Sequence, residues 1–457
     1  MEQKRMREHE IKQKSAILHL YKLFGLVLVL GCFGLFWGLF YADAIHTPFF
    51  NTGNYVVCGL YIVLYTMTAK LYGGFQIGMS KASELIYSQI ISLFICNGLM
   101  YCIICLLSYR LANIIPLLIN IVAASLIEAV WCWYGNRLNN FLFPAKKTVI
   151  IYDYLQEEQL IQQINSMSWK FKIVGMVNLE DGIETVLKNI EDAEAVFISG
   201  VSSSNRNAIL KYCIEHGIQT YLRPKIGDLI VSSSKRIQLN GIPVLYCSRN
   251  QTSLWYTAFK RGMDIVISTL GLILASPFML ITALLIKLYD GGPVIYKQCR
   301  LTKDGKEFYI MKFRSMKVDA EKDGVARLAS QNDDRITPIG KFIRAVRFDE
   351  LPQIINILKG DMSIVGPRPE RPEIAEQYAQ EMPEFNLRLQ VKAGLTGYAQ
   401  VYGKYNSKPY DKLQMDLIYI ANQSIVQDIK LMFATIKILF MSESTEGIQE
   451  GQVTAHK

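Results

Sequence analysis

The stretch "KRGMDIVISTLGLILASPFMLITALLIKLYDGG", Lys260 to Gly292, decides how this chain is built. No charged residue falls between Asp264 and Lys287, which is apolar length enough to cross the roughly 30 Å hydrocarbon layer of a bilayer. Two features oppose a simple crossing. Ser276-Pro277 sits in the middle, where proline removes a helix hydrogen bond and forces a kink. Basic residues flank both ends, Lys260 and Arg261 before and Lys287 and Lys297 after, as expected when both ends stay on the cytoplasmic side. A helix-break-helix hairpin that enters one leaflet and returns satisfies both, with Ser276 and Pro277 as the re-entrant break. A kinked full span is the alternative.

Upstream, four uncharged runs occur early: Leu23 to Ala42, Asn51 to Ala69, Leu85 to Tyr109, and Leu111 to Ile127. Each suits a transmembrane helix. Lys4, Arg5, Arg7, Lys12, Lys14 and Lys22 precede the first, and Arg137, Lys146 and Lys147 follow the last, whereas the loop from Asp43 to Asn54 has no Lys or Arg. The N-terminus and everything beyond the fourth helix are therefore expected in the cytoplasm. The nine cysteines fall in membrane runs or in that reducing compartment, which argues against a disulfide framework. A net charge of +9 fits anionic lipid headgroups or phosphate ligands, and no nucleic-acid motif accompanies it.

Between these parts, "TVIIYD", "FKIVGMV", "AEAVFISG" and "GIQTYLRP" alternate with amphipathic stretches, a βα pattern of Rossmann type. A dinucleotide site needs a glycine-rich turn after the first strand. That turn here reads "YDYLQEEQL", so the domain is expected to be a degenerate, regulatory or oligomerising module, and a homodimer is among the expectations.

Downstream, "VIYKQCRLTKDGKEFYIMKFRSM" reads as two strands joined at Asp304-Gly305. On the second strand Lys312 and Arg314 are two apart and project from one face, either as a solvated charged face or as two cations held for an anion. In "RFDELPQIINILKGD", Arg347 to Asp361, Asp349 and Glu350 are adjacent. They would cap a helix begun by Pro352 and ended by Gly360, or else do chemistry. In "GDMSIVGPRPE" Gly366, Pro367 and Pro369 stiffen the chain around Arg368, which suits bidentate phosphate recognition as well as a structural turn. "GLTGYAQVYG" offers glycines and the aromatics Tyr398 and Tyr402. The five histidines are His9, His19, His46, His216 and His456, so histidine acid-base chemistry and a His-ligated zinc are excluded from this region. Its chemistry must come from carboxylates and cations, with a hard metal such as Mg2+ near Asp349 and Glu350.

Taken in order, "KFRSM", "RFDELPQIINILKGDMSIVGPRPE", "AGLTGYAQV" and "DLIYIANQSIVQDIKLMFATIKIL" resemble the successive motifs of the bacterial sugar transferases, the polyprenyl-phosphate hexose-1-phosphate transferases. The likeness runs from about Thr257 to Ser442, and the N-terminal half matches the large subfamily in layout only. The resemblance implies that Asp349 attacks the sugar-bearing phosphate of a UDP-sugar and releases UMP. Polyprenyl (undecaprenyl) phosphate then takes the phosphosugar. It also implies that Glu350 orients a metal or polarises the acceptor, and that Lys312, Arg314, Arg368 and Tyr398 bind substrate. Where such enzymes often carry a serine two residues before the aspartate, this chain has Arg347, to which no role is given.

The expected architecture is an α/β membrane protein. Residues 1–145 form an N-terminal arm and four transmembrane helices, and 146–250 a Rossmann-like domain. Residues 251–445 form a monotopic α+β catalytic domain with its re-entrant helix, and 446–457 a tail. The expected location is the bacterial inner membrane, with membrane lipids as partners and the catalytic part on the cytoplasmic face. A silent scaffold of polysaccharide assembly would not need Asp349, Glu350, Lys312, Arg314 and Arg368 together, and the glycine-free turn disfavours a nucleotide sensor.

Overall fold

The computed structural model describes residues 2–50, 52–153, 158–249, 252–318, 335–403 and 408–439. The tail 446–457 and part of the glycine-free turn lie outside these residues. The chain forms two compact units that divide between Arg223 and Pro224.

The first unit opens with α1 (Glu2–Phe36), which runs into a π-helical turn at Trp37–Tyr41, then α2 (Thr52–Leu71), α3 (Ala82–Ser108) and α4 (Ile115–Leu142). The charged N-terminal arm is helical and continuous with the first apolar run. Between the helices pack Phe33, Tyr61, Leu93, Met100 and Ala124, with the Phe33 and Tyr61 rings stacked 3.8 Å apart. Polar groups also point inward: Tyr65 donates to Gln89 Oε1 at 2.8 Å and Asn120 to Asn97 Oδ1 at 2.8 Å. Leu35, Leu39, Leu106, Val122 and Leu126 point outward. Apolar side chains outside with polar groups paired between helices inside is the arrangement a bilayer selects.

The same unit continues with β1 (Lys146–Tyr152), α5 (Glu158–Asn165), β2 (Phe171–Asn178), α6 (Ile183–Asn189), β3 (Ala195–Ser199), α7 (Ser203–His216) and β4 (Gln219–Leu222). The strands form one parallel sheet in the order β2-β1-β3-β4. Val149, Ile150 and Ile151 on β1 and Val196 and Ile198 on β3 are buried, because helices cover both faces of a parallel sheet.

The second unit begins with α8 (Ile226–Ser232) and the antiparallel hairpin β5 (Lys235–Leu239) and β6 (Ile242–Tyr246). Ile226 and Leu229 bury in this unit's core with Phe308, Ile310, Leu413 and Leu417. Next comes α9 (Leu254–Asp290), capped by Ser253 Oγ accepting from Tyr256 N and ended by Gly291 at φ 69°. Helical backbone runs unbroken through Ser276 and Pro277, so the two separate helices expected there are one helix. The local reason is visible: Pro277 cannot donate to the Ile273 carbonyl four residues back, and Ser276 Oγ donates to that oxygen instead, at 2.8 Å. The orphaned acceptor is satisfied without breaking the helix. Val266, Leu270, Ile273, Leu280 and Leu284 are exposed, leaving an apolar surface suited to lipid. In all, five helices among the described residues are long and apolar enough to cross a membrane; the protein is a membrane-associated α/β protein.

The hairpin of β7 (Ile295–Leu301) and β8 (Glu307–Phe313) turns at Asp304 (φ 62°) and Gly305 (φ 74°). After it come α10 (Pro338–Ala345), a 3₁₀ turn at Phe348–Glu350, α11 (Gln353–Lys359) and β9 (Ser363–Val365). Then follow α12 (Pro372–Glu381), a 3₁₀ segment at Pro383–Gln390, β10 (Gly394–Thr396) parallel to β9, α13 (Tyr398–Tyr402), α14 (Pro409–Ala421) and α15 (Ile425–Leu439). Close backbone contact explains the glycines here. A Cβ on Gly394 would stand 2.1 Å from Gly366 N, and one on Gly397 2.1 Å from Gly366 O.

Candidate active site

Asp349 and Glu350 sit in the 3₁₀ turn that precedes α11. The turn is entered through Arg347, whose φ of 56° is left-handed, a conformation costing a non-glycine residue about 1–2 kcal/mol. Such strain persists only where surrounding contacts fix it, and is common beside reacting groups. The capping alternative is not what the structure shows: Pro352 stands at the N-cap of α11 and no side chain bonds the free amides. Gly360 closes the helix at φ 93°.

Asn356 fixes this turn against the hairpin. Its Oδ1 accepts from Met311 N at 3.0 Å and its Nδ2 donates to Tyr309 O at 2.9 Å, which locks α11 to β8. Lys312, one residue further along β8, then reaches Glu350 Oε1 at 2.9 Å. Arg368, from the loop after β9, donates Nη2 to the same oxygen at 3.2 Å. The pair Lys312 and Glu350 is mostly shielded, 22% and 18% exposed, while Arg368 stays 48% exposed. One carboxylate oxygen thus gathers two cations from distant parts of the chain.

The two acids are driven apart electrostatically. Burial would raise Glu350, but Lys312 and Arg368 outweigh it and hold that carboxyl far below its usual range. Asp349 is raised, first by burial and then by the adjacent Glu350 charge, with Lys312, Arg344 and Arg368 pulling the other way. Opposed environments of this kind separate the roles of neighbouring carboxylates. Glu350 is a permanently charged organiser of cations, and Asp349 a carboxylate without a hydrogen-bond or ion-pair partner among the described residues.

Not every residue singled out in the sequence reaches this point. Arg314 follows β8 directly, two residues beyond Lys312, yet its guanidinium is buried: Nη1 donates to Asp290 Oδ2 at 2.7 Å, Nη2 pairs with Asp290 Oδ1, and Nε donates to Pro293 O at 2.7 Å. Its expected role is that of a phosphate ligand, and its partners in this structure are instead Asp290 and Pro293. With its donors taken by the C-terminal end of α9, it is an anchor for that helix. Tyr398 packs against the core of this unit, its ring 4.6 Å from that of Tyr402, and no hydrogen bond or ion pair among the described residues joins it to the two acids. Ser276 and Pro277 lie within α9, as described. The sequence reading passed over Asn356, although it lies in the quoted stretch, and Arg300 and Arg388, which hold the Arg368 loop.

Magnesium can be tested against these donors. Among the described residues no three His, Cys, Asp or Glu cluster as a metal cage. Magnesium ordinarily takes one or two carboxylates and completes its shell with water and substrate phosphates. Asp349 and the second oxygen of Glu350 are hard donors of that kind and number, so the residues fit.

Residues 255–442 match the family described as Bacterial sugar transferase. The Escherichia coli K12 UDP-glucose:undecaprenyl-phosphate glucose-1-phosphate transferase is 34% identical over 319 residues, 65% of this chain and 68% of the relative. An Aeromonas hydrophila UDP-N-acetylgalactosamine-undecaprenyl-phosphate N-acetylgalactosaminephosphotransferase is 44% identical over 187 residues, 40% of this chain and 44% of the relative. A putative Bacillus subtilis undecaprenyl-phosphate N-acetylgalactosaminyl 1-phosphate transferase is 52% identical over 134 residues, 29% of this chain and 74% of the relative. All of the chemistry-bearing groups described above lie inside the matched region.

Proposed function

Because this chain belongs to the bacterial sugar transferases, we propose that it transfers a hexose-1-phosphate from a UDP-sugar to polyprenyl phosphate through a covalent intermediate on Asp349. The observation that carries this reading is the division of labour between the two acids. Glu350 is committed to Lys312 and Arg368, which leaves Asp349 to act as the nucleophile beside two fixed cations.

An Asp349 oxygen attacks the sugar-bearing phosphorus, the bond from that phosphorus to the bridging oxygen breaks, and UMP leaves with the bonding electron pair. An oxygen of polyprenyl phosphate then attacks the same phosphorus, and the Asp349 carboxylate is released. Both attacking groups are already anionic, so no general base is needed, consistent with the lack of histidine. Splitting the transfer keeps the two anionic substrates from meeting in one step. Lys312 and Arg368 offset charge on the phosphate oxygens during each displacement. Asp349 and Glu350 would hold Mg2+, which when bound supplies further neutralisation of phosphate charge.

The membrane arrangement follows from how α9 is tied down. At its start Arg261 donates to the Ile357 and Leu358 carbonyls at 2.6 and 2.7 Å, and Asp264 accepts from Ile364 N at 3.1 Å. At its end Asp290 holds Arg314, the residue that follows β8. Since α11 is itself bonded to β8 through Asn356, both ends of α9 attach to one folded body, which supports entry and exit on the same face, with Pro277 as the point where this continuous helix can kink. That face is the cytoplasmic side of the inner membrane in this reading, where the UDP-sugar is soluble and the lipid phosphate is reached at headgroup level. Incubating detergent-solubilised protein with UDP-sugars labelled in the hexose, Mg2+ and undecaprenyl phosphate tests the proposal. Labelled lipid and an equal amount of UMP are expected, and the donor giving both identifies the sugar.

A further inference from the structure

The loop that carries Arg368 is held by its main chain. Four successive carbonyls accept from four different places: Pro367 O from Gly394 N at 2.9 Å, Arg368 O from Arg388 Nη2 at 2.9 Å, Pro369 O from Arg300 Nη1 at 3.1 Å, and Glu370 O from Leu301 N at 3.0 Å. Only Arg300 and Arg388 do this with side chains. Arg388 is the more deeply enclosed, 5% exposed. Asp416 Oδ2 lies 2.7 Å from its Nη2 and Glu370 Oε1 3.5 Å from its Nη1, and the guanidinium carbon sits 4.9 Å from the Phe385 ring centre. Asp416 is 1% exposed. Glu370 in turn faces Arg300 at 3.8 Å.

A buried guanidinium is stable only when paired and hydrogen-bonded. Here the pairing with Asp416 and Glu370 fixes the direction of the fork, and the fork holds the Arg368 carbonyl. A small pocket lined in part by Leu301, Pro367, Pro369 and Phe385 borders the loop, whose carbonyls are held by Arg300 and Arg388.

We infer that Arg388, fixed by Asp416 and Glu370, is a positioning residue that sets the Arg368 guanidinium against Glu350 and so beside the reacting phosphate. This rests on the transferase reading. Among the described residues Arg388 makes no hydrogen bond or ion pair with Asp349 or Glu350, so if it acts through Arg368 its effect has to vanish when the Arg368 side chain is gone.

The test uses the full chain in detergent, assayed for UMP release and labelled lipid, with melting temperature followed in parallel. Arg388→Lys keeps a charge for Asp416 but lacks the planar fork that reaches Asp416, Glu370 and the Arg368 carbonyl together. A displacement of about 1 Å at a catalytic group costs on the order of 100-fold, so kcat should fall by about 10- to 100-fold. In an Arg368→Ala background the same substitution should change kcat by less than about 3-fold, the behaviour of residues acting as one unit. Wild-type rates in Arg388→Lys, or an undiminished loss in the Arg368→Ala background, overturn the inference. If Arg388→Lys does not fold, Glu370→Gln takes its place, with a smaller loss and the same dependence on Arg368; equal losses in both backgrounds count against the inference. A wild-type protein that makes no labelled lipid from any UDP-hexose defeats the transferase reading and this inference with it, whereas an active wild type with an unaffected Arg388→Lys defeats this inference alone.

Discussion

Lys312 Nζ lies 2.9 Å from Glu350 Oε1 across the gap between β8 and the 3₁₀ turn. The pair joins the acid next to Asp349, the proposed nucleophile, with a cation set by strand geometry, and Arg368 shares its oxygen. Glu350→Gln therefore does more than remove a charge: it frees two cations from their common anchor. Losing preorganised groups that stabilise developing phosphate charge costs on the order of 100-fold or more in kcat, so turnover is expected to fall by about 100-fold, with melting temperature as the check on folding. Turnover within about 3-fold of wild type would remove Glu350 from the site.

The same electrostatics predict a pH profile. Asp349 is raised by burial and by Glu350, and only its carboxylate form is nucleophilic. The rate should therefore fall as pH drops through a value above the ordinary Asp range, and stay level above it. Lys312→Met removes a charge that favours the ionised form, so the acid limb of kcat/KM should move to higher pH. A shift to lower pH would contradict the assignment.

Arg314 and Asp290 make a prediction about stability. If Arg314 binds phosphate, only its own loss should matter. If it anchors α9, as its bonds to Asp290 and Pro293 indicate, Asp290→Asn and Arg314→Gln should lower the melting temperature by similar amounts. The double variant should then cost little more than either alone. Donor KM should be nearly unchanged in all three; a large rise confined to Arg314→Gln would restore a phosphate role.

How much of this was legible in advance depended on whether the signal was local. Positive φ at Asp304 and Gly305, and the Pro352 and Gly360 limits of α11, follow from residues that prefer those conformations, and βα alternation marked the parallel sheet. The Asp290 partner of Arg314 was not legible because strand period fixes a face but not a partner, and Asp290 approaches from the preceding helix. Arg388 was invisible for a related reason: nothing in "NLRLQ" says that the arginine is buried until Asp416 and Glu370 are brought to it. At Pro277 the sequence shows the lost backbone donor but not that Ser276 supplies another to Ile273 within a continuous helix.

That repair bears on topology. Cysteines placed at Thr257 and Tyr289, in a protein lacking its native thiols, should both be labelled only from the cytoplasmic side. Replacing Ser276 by Ala and Pro277 by Leu restores the backbone donor and removes the proline's tendency to kink an apolar helix that is long enough to cross at about 20 residues. In that variant Tyr289Cys should become reachable from outside and cellular activity should be lost. Unchanged labelling would mean that the polar anchors at the two ends of α9, and not the proline, decide its course.

The central claim is that Asp349 carries the phosphosugar, and the half-reaction without acceptor tests it most directly. Purified protein is mixed with a UDP-hexose bearing ³²P in the sugar-linked phosphate and Mg2+, in the absence of polyprenyl phosphate, then quenched and digested. The account predicts release of unlabelled UMP matched by label on the peptide containing Asp349, chased into lipid when polyprenyl phosphate is added, and no labelled peptide from Asp349→Asn. Labelled lipid formed at full rate by Asp349→Asn, or label found on another residue, would contradict it.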